Sequence, residues 1–324
     1  MYFYLIGIDY KRSAIDAREN LYRRQHAVAA YWANTGPGGS AVLVTCNRME
    51  IYGVVEYADD AAAHIAGFFK EFPDFSKYAY LKLTKERVFG HALRLACGLE
   101  SQIKGELQIA EQLDAWIKDA AVPGPVKDLW DEALENAQEI RAAANLNDHD
   151  NNIAAIVFAD IEKKMRAKEK YEVLIIGSGK IAEAFADYGA QRAHFTFVSH
   201  RNHQKARKLA EYAGGVALSL RDLEHLAAQS DIVIGASSSP HYILKKEHFA
   251  EILPRRRYPL YIYDLAMPRD VEPLVAGIGG VCLYNLDTLE PLFSEHNKPF
   301  EKSVALASEL IEDRLAVFQE AVHG

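Results

Sequence analysis

The 324-residue chain predicts an α/β protein in three parts. An N-terminal α/β domain is expected over residues 1–150, a doubly wound parallel sheet of Rossmann type over 151–285, and a long helix over 286–324. Strand and helix patterns alternate along the chain, the arrangement that builds parallel sheets. Gly177-Ser-Gly-Lys-Ile-Ala182 stands between an apolar strand and the opening of a helix. The polar run Asn145-Leu-Asn-Asp-His-Asp-Asn-Asn152 separates the first pattern from the second.

Tyr2 to Asp9 reads as a strand, and residues 15–33 as a helix. Strands follow at Ala41–Thr45 and Ile51–Ala58, then a helix over 60–71. From Arg87 to Lys118 the spacing is helical, interrupted at Gly98 and Gly105. Pro123-Gly-Pro125 marks a loop before a helix over 126–144. The second domain opens with a helix over 153–168. Strands are expected from Tyr171 into the glycine turn, and at His194–Ser199, Asp231–Gly235, Leu260–Asp264 and Gly280–Tyr284. In the last segment Val304, Ala307, Ile311, Leu315, Phe318 and Val322 share one helical stripe, broadened by Leu306, Leu310 and Val317. That stripe needs a cover, either the body of the chain or a second subunit.

Charged residues make up 25% and hydrophobic residues 49% of the chain, ordinary values for a soluble globular protein. No apolar run approaches the ~18 residues of a membrane span. The start lacks a basic leader and cleavage site, so it reads as a strand and not a signal peptide. Cys46, Cys97 and Cys282 are far apart and show neither metal-ligand spacing nor a disulfide framework, which fits a reducing cytoplasm. Cys97 and Cys282 lie in apolar contexts and read as core. A net charge of -8 argues against a generic nucleic-acid coat. Arg255-Arg-Arg257, Arg23-Arg24 and Lys245-Lys246 are either solvated runs or local docking points for a shaped nucleic acid.

Cys46 is the most informative residue. The apolar run Val42-Leu-Val44 stops at Thr45, Cys46, Asn47, Arg48 and Glu50, which read as the working end of a strand. If the extended form persists, Cys46 and Arg48 share a face, and the guanidinium favours the reactive thiolate. The other reading makes Cys46 a small core residue.

Gly177-Ser-Gly-Lys-Ile-Ala182 fits the G-x-G-x-x-A dinucleotide fingerprint. Gly177 makes the turn. Gly179 lets the amides around Ser178, Lys180 and Ile181 approach a pyrophosphate at the helix N-terminus. An NAD site places a carboxylate about 20 residues on, but Ser199-His-Arg-Asn202 stands there. Ser199 and Arg201, with Lys205 and Arg207 behind, suit a 2′-phosphate, so NADPH is the expected cofactor. The stretch Ala236-Ser-Ser-Ser-Pro240, with Ser237, either lines the cofactor cleft or forms a plain turn.

Together these pieces resemble the glutamyl-tRNA reductase family, which starts tetrapyrrole (haem) synthesis. The resemblance covers nearly the whole chain. It includes Gly7–Glu19, Thr45-Cys-Asn-Arg-Met-Glu-Ile-Tyr52, His91–Glu106, Asp264-Leu-Ala-Met-Pro-Arg-Asp270 and Tyr284-Asn-Leu-Asp-Thr-Leu289. It makes the N-terminal domain catalytic and implies that Cys46 attacks the ester joining glutamate to tRNA. The resulting thioester is then reduced by NADPH to glutamate 1-semialdehyde. It further implies that Thr45 and Arg48 recognise the glutamyl group, that His91 is the acid–base residue, and that Ser101 and Glu106 complete the substrate site. Glutamyl-tRNA and the aminomutase that follows are the implied partners. The chain is expected to be a compact form without the family's C-terminal dimerisation domain, so its oligomeric state is open. It departs from the family at Lys104, Leu107, Val44 and Met49. The alternatives are an NADP-linked reductase of another activated acyl compound and a non-enzymatic regulatory relative.

Overall fold

The computed structural model describes residues 1–35, 40–119, 122–148, 151–165, 169–199 and 203–323. The chain divides into two compact units, Met1–Asn151 with Phe293–Gly324, and Asn152–Leu292.

The first unit opens with β1 (Tyr2–Asp9), α1 (Ile15–Arg23), α2 (Gln25–Thr35), β2 (Ser40–Thr45) and β3 (Arg48–Val55). It continues through α3 (Ala58–Glu71), the one-turn α4 (Pro73–Ser76), β4 (Tyr80–Leu83), α5 (Lys85–Ala96), α6 (Gln108–Asp119) and α7 (Gly124–Ala143). Its sheet is antiparallel in the order β2-β3-β1-β4. Central β1 is buried on both faces, which explains its nearly unbroken apolar run. Phe3 and Leu5 face a core shared with α5 and α7, while Tyr4, Ile6 and Ile8 face the aromatic layer of Trp32, Phe68, Phe72 and Phe75.

β4 has no counterpart among the expected strands. Four residues, of which Tyr80 alone is buried, give too short a pattern to separate from a loop. The second hairpin strand runs Arg48–Val55, not Ile51–Ala58, because it pairs with β2 from Thr45↔Arg48 onward. The turn of the hairpin is therefore Cys46-Asn47 alone.

The second unit contains α8 (Ile153–Lys164), β5 (Tyr171–Ile176), α9 (Lys180–Gly189), β6 (Ala193–Val198) and α10 (His203–Ala213). Next come β7 (Val216–Leu218), α11 (Leu223–Gln229), β8 (Ile232–Gly235), the short α12 (Phe249–Ile252), β9 (Leu260–Asp264) and β10 (Val281–Asn285). All six strands are parallel, in the order β10-β9-β8-β5-β6-β7. The order reverses between β5 and β8, the switch point beside which open α/β sheets bind ligands. α8 begins with the Asn152 side chain accepting from the amides of Ala154 (2.9 Å) and Ala155 (3.1 Å), a normal N-cap.

After α13 (Glu290–Asn297) the chain enters α14 (Glu301–His323), which packs within the first unit. Ala307, Ile311 and Phe318 join the core of α5 and α7. Phe318 stacks on Phe89 with centroids 4.2 Å apart. Leu315 fills the place where a side chain on Gly90 would stand. The body of the chain thus covers this stripe, and Leu306 and Val317 remain exposed. No helix among the described residues is long and apolar enough to cross a membrane.

Candidate active site

The Cys46-Asn47 turn corrects the expectation that Cys46 and Arg48 lie along one extended face. Thr45, which closes the turn, accepts the Asn47 amide on its hydroxyl at 3.3 Å. Cys46 is half-buried and free of any disulfide. Burial, and after it the charge of Glu106, pushes its thiol up to about 11, against the pull of Arg18 and Arg48. The expected thiolate-favouring guanidinium is present and outweighed. Arg48 is spent elsewhere: its Nη1 donates to Glu50 at 2.8 Å and its Nη2 to the Glu100 carbonyl at 2.6 Å.

Glu50 is fully buried on β3 and gathers the site. His91 Nε2 on α5 lies 2.9 Å from its Oε1, and Tyr52 donates to its Oε2 at 2.5 Å. Tyr80 donates to the same Oε1 as Arg48 and His91. Desolvation opposes the ionised form of Glu50, but His91, Arg48 and these donors overcome it and hold the carboxyl far below the usual range. His91 therefore joins the group through Glu50.

The third component is the loop between α5 and α6, residues 97–107. Gly98 and Gly105 both take positive φ (75°), and a Cβ on Gly98 would stand 2.9 Å from the Gly105 Cα. This close crossing is why helical spacing breaks at those two glycines. Buried Arg141 on α7 donates to the carbonyls of Cys97 (3.0 Å), Gly105 (2.8 Å) and Leu146 (2.5 Å). Lys104 Nζ caps the carbonyls of Leu99 and Ser101, each at 2.8 Å. Asn297 brackets the same loop through Gln102 and Lys104. Tyr10 donates to the Ser101 carbonyl at 3.1 Å. Glu100 accepts from Lys11 at 2.5 Å and Arg94 at 3.0 Å, which together overcome burial and hold its carboxyl down to about 2.

Glu106 is hydrogen-bonded to Ser101, yet burial pushes its carboxyl up to about 7. Its charge bears on Cys46, so the two groups are electrostatically coupled. Alkylation of Cys46 is accordingly expected to rise roughly tenfold per pH unit from about pH 7 to 10, with no plateau near the free-cysteine value of ~8.5. Glu106→Gln should speed alkylation at pH 8 by removing the charge that opposes the thiolate. A plateau near 8.5, read by mass spectrometry of Cys46 peptides, would contradict this electrostatic setting.

In the second unit the glycine turn stands at the carboxyl end of β5. Gly177 has φ 125°, and a Cβ there would fall 2.3 Å from the Ala236 carbonyl. Gly179 is the N-cap of α9, and no side chain caps the helix's first amides, which suits an incoming pyrophosphate. Lys180 and half-buried Ile181 form the first turn behind it. Lys180 and Lys205 both engage Glu183, at 3.3 and 2.8 Å. Ser178 and Ser199 are buried at the ends of β5 and β6, and Arg201 lies outside the described residues. Ser237 donates its hydroxyl to Asp270, which also accepts the Ser237 amide at 2.9 Å. The hydroxyl thus anchors the loop after β8. Its anchor sits on buried Asp264, whose carboxylate accepts the amides of Asp270 (3.2 Å) and Val271 (2.8 Å). The residues present fit a dinucleotide: a strained glycine cradle, uncapped helix amides and small side chains converge at the switch point.

Tyr52, Tyr80, Arg18 and Arg141 received no role from sequence, and Glu50 was placed at the working end of the strand without one of its own. Glu50 and Tyr52 stood inside the quoted motif, while Tyr80 and Arg141 reach the site only through the fold.

Residues 6–145 match the family model described as Glutamyl-tRNAGlu reductase, N-terminal domain. Residues 160–292 match that described as Shikimate / quinate 5-dehydrogenase. The chain is 28% identical to the glutamyl-tRNA reductase of Carboxydothermus hydrogenoformans over 99% of its own length and 74% of the relative's. The enzyme of that name from Methanococcoides burtonii is 33% identical over 84% of this chain and 65% of that one. The solved glutamyl-tRNA reductase from Methanopyrus kandleri is 25% identical with a TM-score of 0.52, covering 99% of this chain and 80% of that chain. With a thiol hairpin in the first unit, a glycine cradle in the second, and relatives that match nearly the whole of this chain and about three quarters of their own length, one conclusion is left: the chain belongs to the glutamyl-tRNA reductase family.

Proposed function

We propose that the protein reduces glutamyl-tRNA to glutamate 1-semialdehyde with NADPH, the first step of tetrapyrrole biosynthesis. The observation that carries this reading is the half-buried Cys46 at the tip of the β2–β3 hairpin, with the charges of Arg48 and Glu106 bearing on it. Its sulfur attacks the ester carbonyl. A C–S bond forms, the C–O bond to the tRNA terminal ribose breaks, and the ribose oxygen leaves with a proton. Thr45, Ser101 and Glu106 border the acyl group, and Arg48, its charge taken by Glu50, holds the wall of the pocket behind them. His91 moves the proton. When bound, NADPH supplies the hydride that converts the thioester to the aldehyde and frees the thiol. Gly177, Ser178, Gly179, Lys180 and Ile181 would hold its pyrophosphate and Ser199 its ribose end.

The aldehyde product suits direct transfer to an aminomutase, and the free cysteines suit a reducing cytoplasm. The deciding assay supplies purified protein with glutamyl-tRNA and NADPH. One semialdehyde per NADPH oxidised is expected. Folded protein that makes none, while reducing a small acyl thioester, would move the substrate to another acyl compound.

A further inference from the structure

We propose that Glu50 is the positioning residue of this site: it fixes His91 as the Nε2–H tautomer and leaves Nδ1 to exchange the proton with substrate. The inference rests on the reductase reading for its kinetic part only. Gly7 on β1 pairs with Glu50 on β3 and with Tyr80 on β4. A Cβ on Gly7 would lie 2.4 Å from Tyr80 Cζ, so only glycine lets the phenol cross β1 and reach Glu50. Arg12 covers the outer face of that ring at 4.6 Å and pairs with Asp9.

Four donors then converge on one carboxylate. Oε1 takes Arg48 Nη1, His91 Nε2 and Tyr80, and Oε2 takes Tyr52. Arg48 keeps its charge at any working pH, and a proton on Glu50 would evict a donor. Glu50 is therefore the anion. A histidine nitrogen 2.9 Å from a carboxylate oxygen must carry hydrogen, because two facing lone pairs repel. Among the described residues Nδ1 has no hydrogen-bond partner. It is the ring atom left to accept or give a proton. A buried ion pair of this kind adds little stability over apolar packing. Its value here lies in holding Arg48 and the His91 ring in register with the Cys46 turn, two residues before Arg48 on the same hairpin.

The test begins on the resting chain without substrate. Nitrogen-15 NMR of the histidine rings should place the neutral His91 proton on Nε2, with a proton resonance moved downfield by the carboxylate. Glu50→Gln keeps the shape and removes the charge. It should move that resonance upfield and lower kcat about 10- to 100-fold, with a smaller change in KM for glutamyl-tRNA. Glu50→Asp keeps the charge but withdraws it by one methylene. It should act in the same direction more weakly and serves if the glutamine variant does not fold. A His91 proton on Nδ1 in the wild type, or a folded Glu50→Gln chain with wild-type kcat, overturns the proposal. Because the NMR arm needs no tRNA, it stands or falls separately from the substrate assignment.

Discussion

Cys46→Ser is expected to lower semialdehyde formation by about 10³-fold or more, the largest effect of any single change in the first unit. Serine fits the hairpin turn, so the fold should survive and the loss should be chemical. The serine hydroxyl is far less acidic than a thiol and a poorer nucleophile toward an ester. Even an acyl-serine would be an oxygen ester, no easier to reduce than the substrate. Two measurements separate these steps. Intact-protein mass spectrometry after mixing with glutamyl-tRNA should show a glutamyl adduct on the wild type and none on the variant. NADPH oxidation in steady state should fall in parallel. Cys282→Ser, on β10 of the other unit, should behave as wild type in both. A Cys46→Ser chain that turns over at a comparable rate would remove covalent catalysis from the mechanism.

The elements that sequence reading located best are those whose pattern is set by burial of both faces of a strand or of one stripe of a helix. The parallel strands β5, β8 and β9 are short unbroken apolar runs and were legible. The α14 stripe was legible too, although whether it met the chain body or a second subunit was not. The packing of Phe318 on Phe89 and of Leu315 over Gly90 decides that, and neither contact has a local signature. β7 and β4 escaped because three and four residues carry too little pattern.

At the site, the sequence pointed to the right segments and misjudged what each side chain does. Cys46 and Arg48 were two apart in a presumed strand. The hairpin turns between them, and Arg48 spends its charge on Glu50. Nothing local to Arg48 foretold this, because the competing acceptor is created when Tyr80, His91 and Tyr52 gather a buried carboxylate. The thiol's raised pKa is likewise a tertiary effect: Glu106 lies sixty residues along the chain and acts on Cys46 only once the 97–107 loop folds over the hairpin. The glycine cradle was legible because its constraint is local, a turn between a strand and a helix.

Two glycines in that cradle should respond differently to alanine, and the difference isolates the cofactor step. At Gly177 a Cβ would lie 2.3 Å from the Ala236 oxygen, 2.6 Å from its carbonyl carbon and 2.9 Å from the Ser237 nitrogen, all main-chain atoms. No side-chain rotation can relieve such a contact, and a φ of 125° strains any L-residue. Gly177→Ala should therefore distort the β5 and β8 ends. A strain of ~1–3 kcal/mol corresponds to roughly 10- to 100-fold in NADPH affinity, with a lowered melting temperature. At Gly179 the nearest atom to a Cβ is 3.9 Å away and φ is −85°, so the protein alone has room for a methyl group. What requires glycine there is the approach of a phosphate to the amides of α9. Gly179→Ala should leave the melting temperature of the resting chain unchanged and still weaken NADPH binding, measured by fluorescence titration. Both variants should continue to form the Cys46 adduct and release tRNA, because acylation uses the first unit. They should fail at the reduction. If Gly179→Ala binds NADPH as tightly as wild type, the pyrophosphate does not sit on this helix.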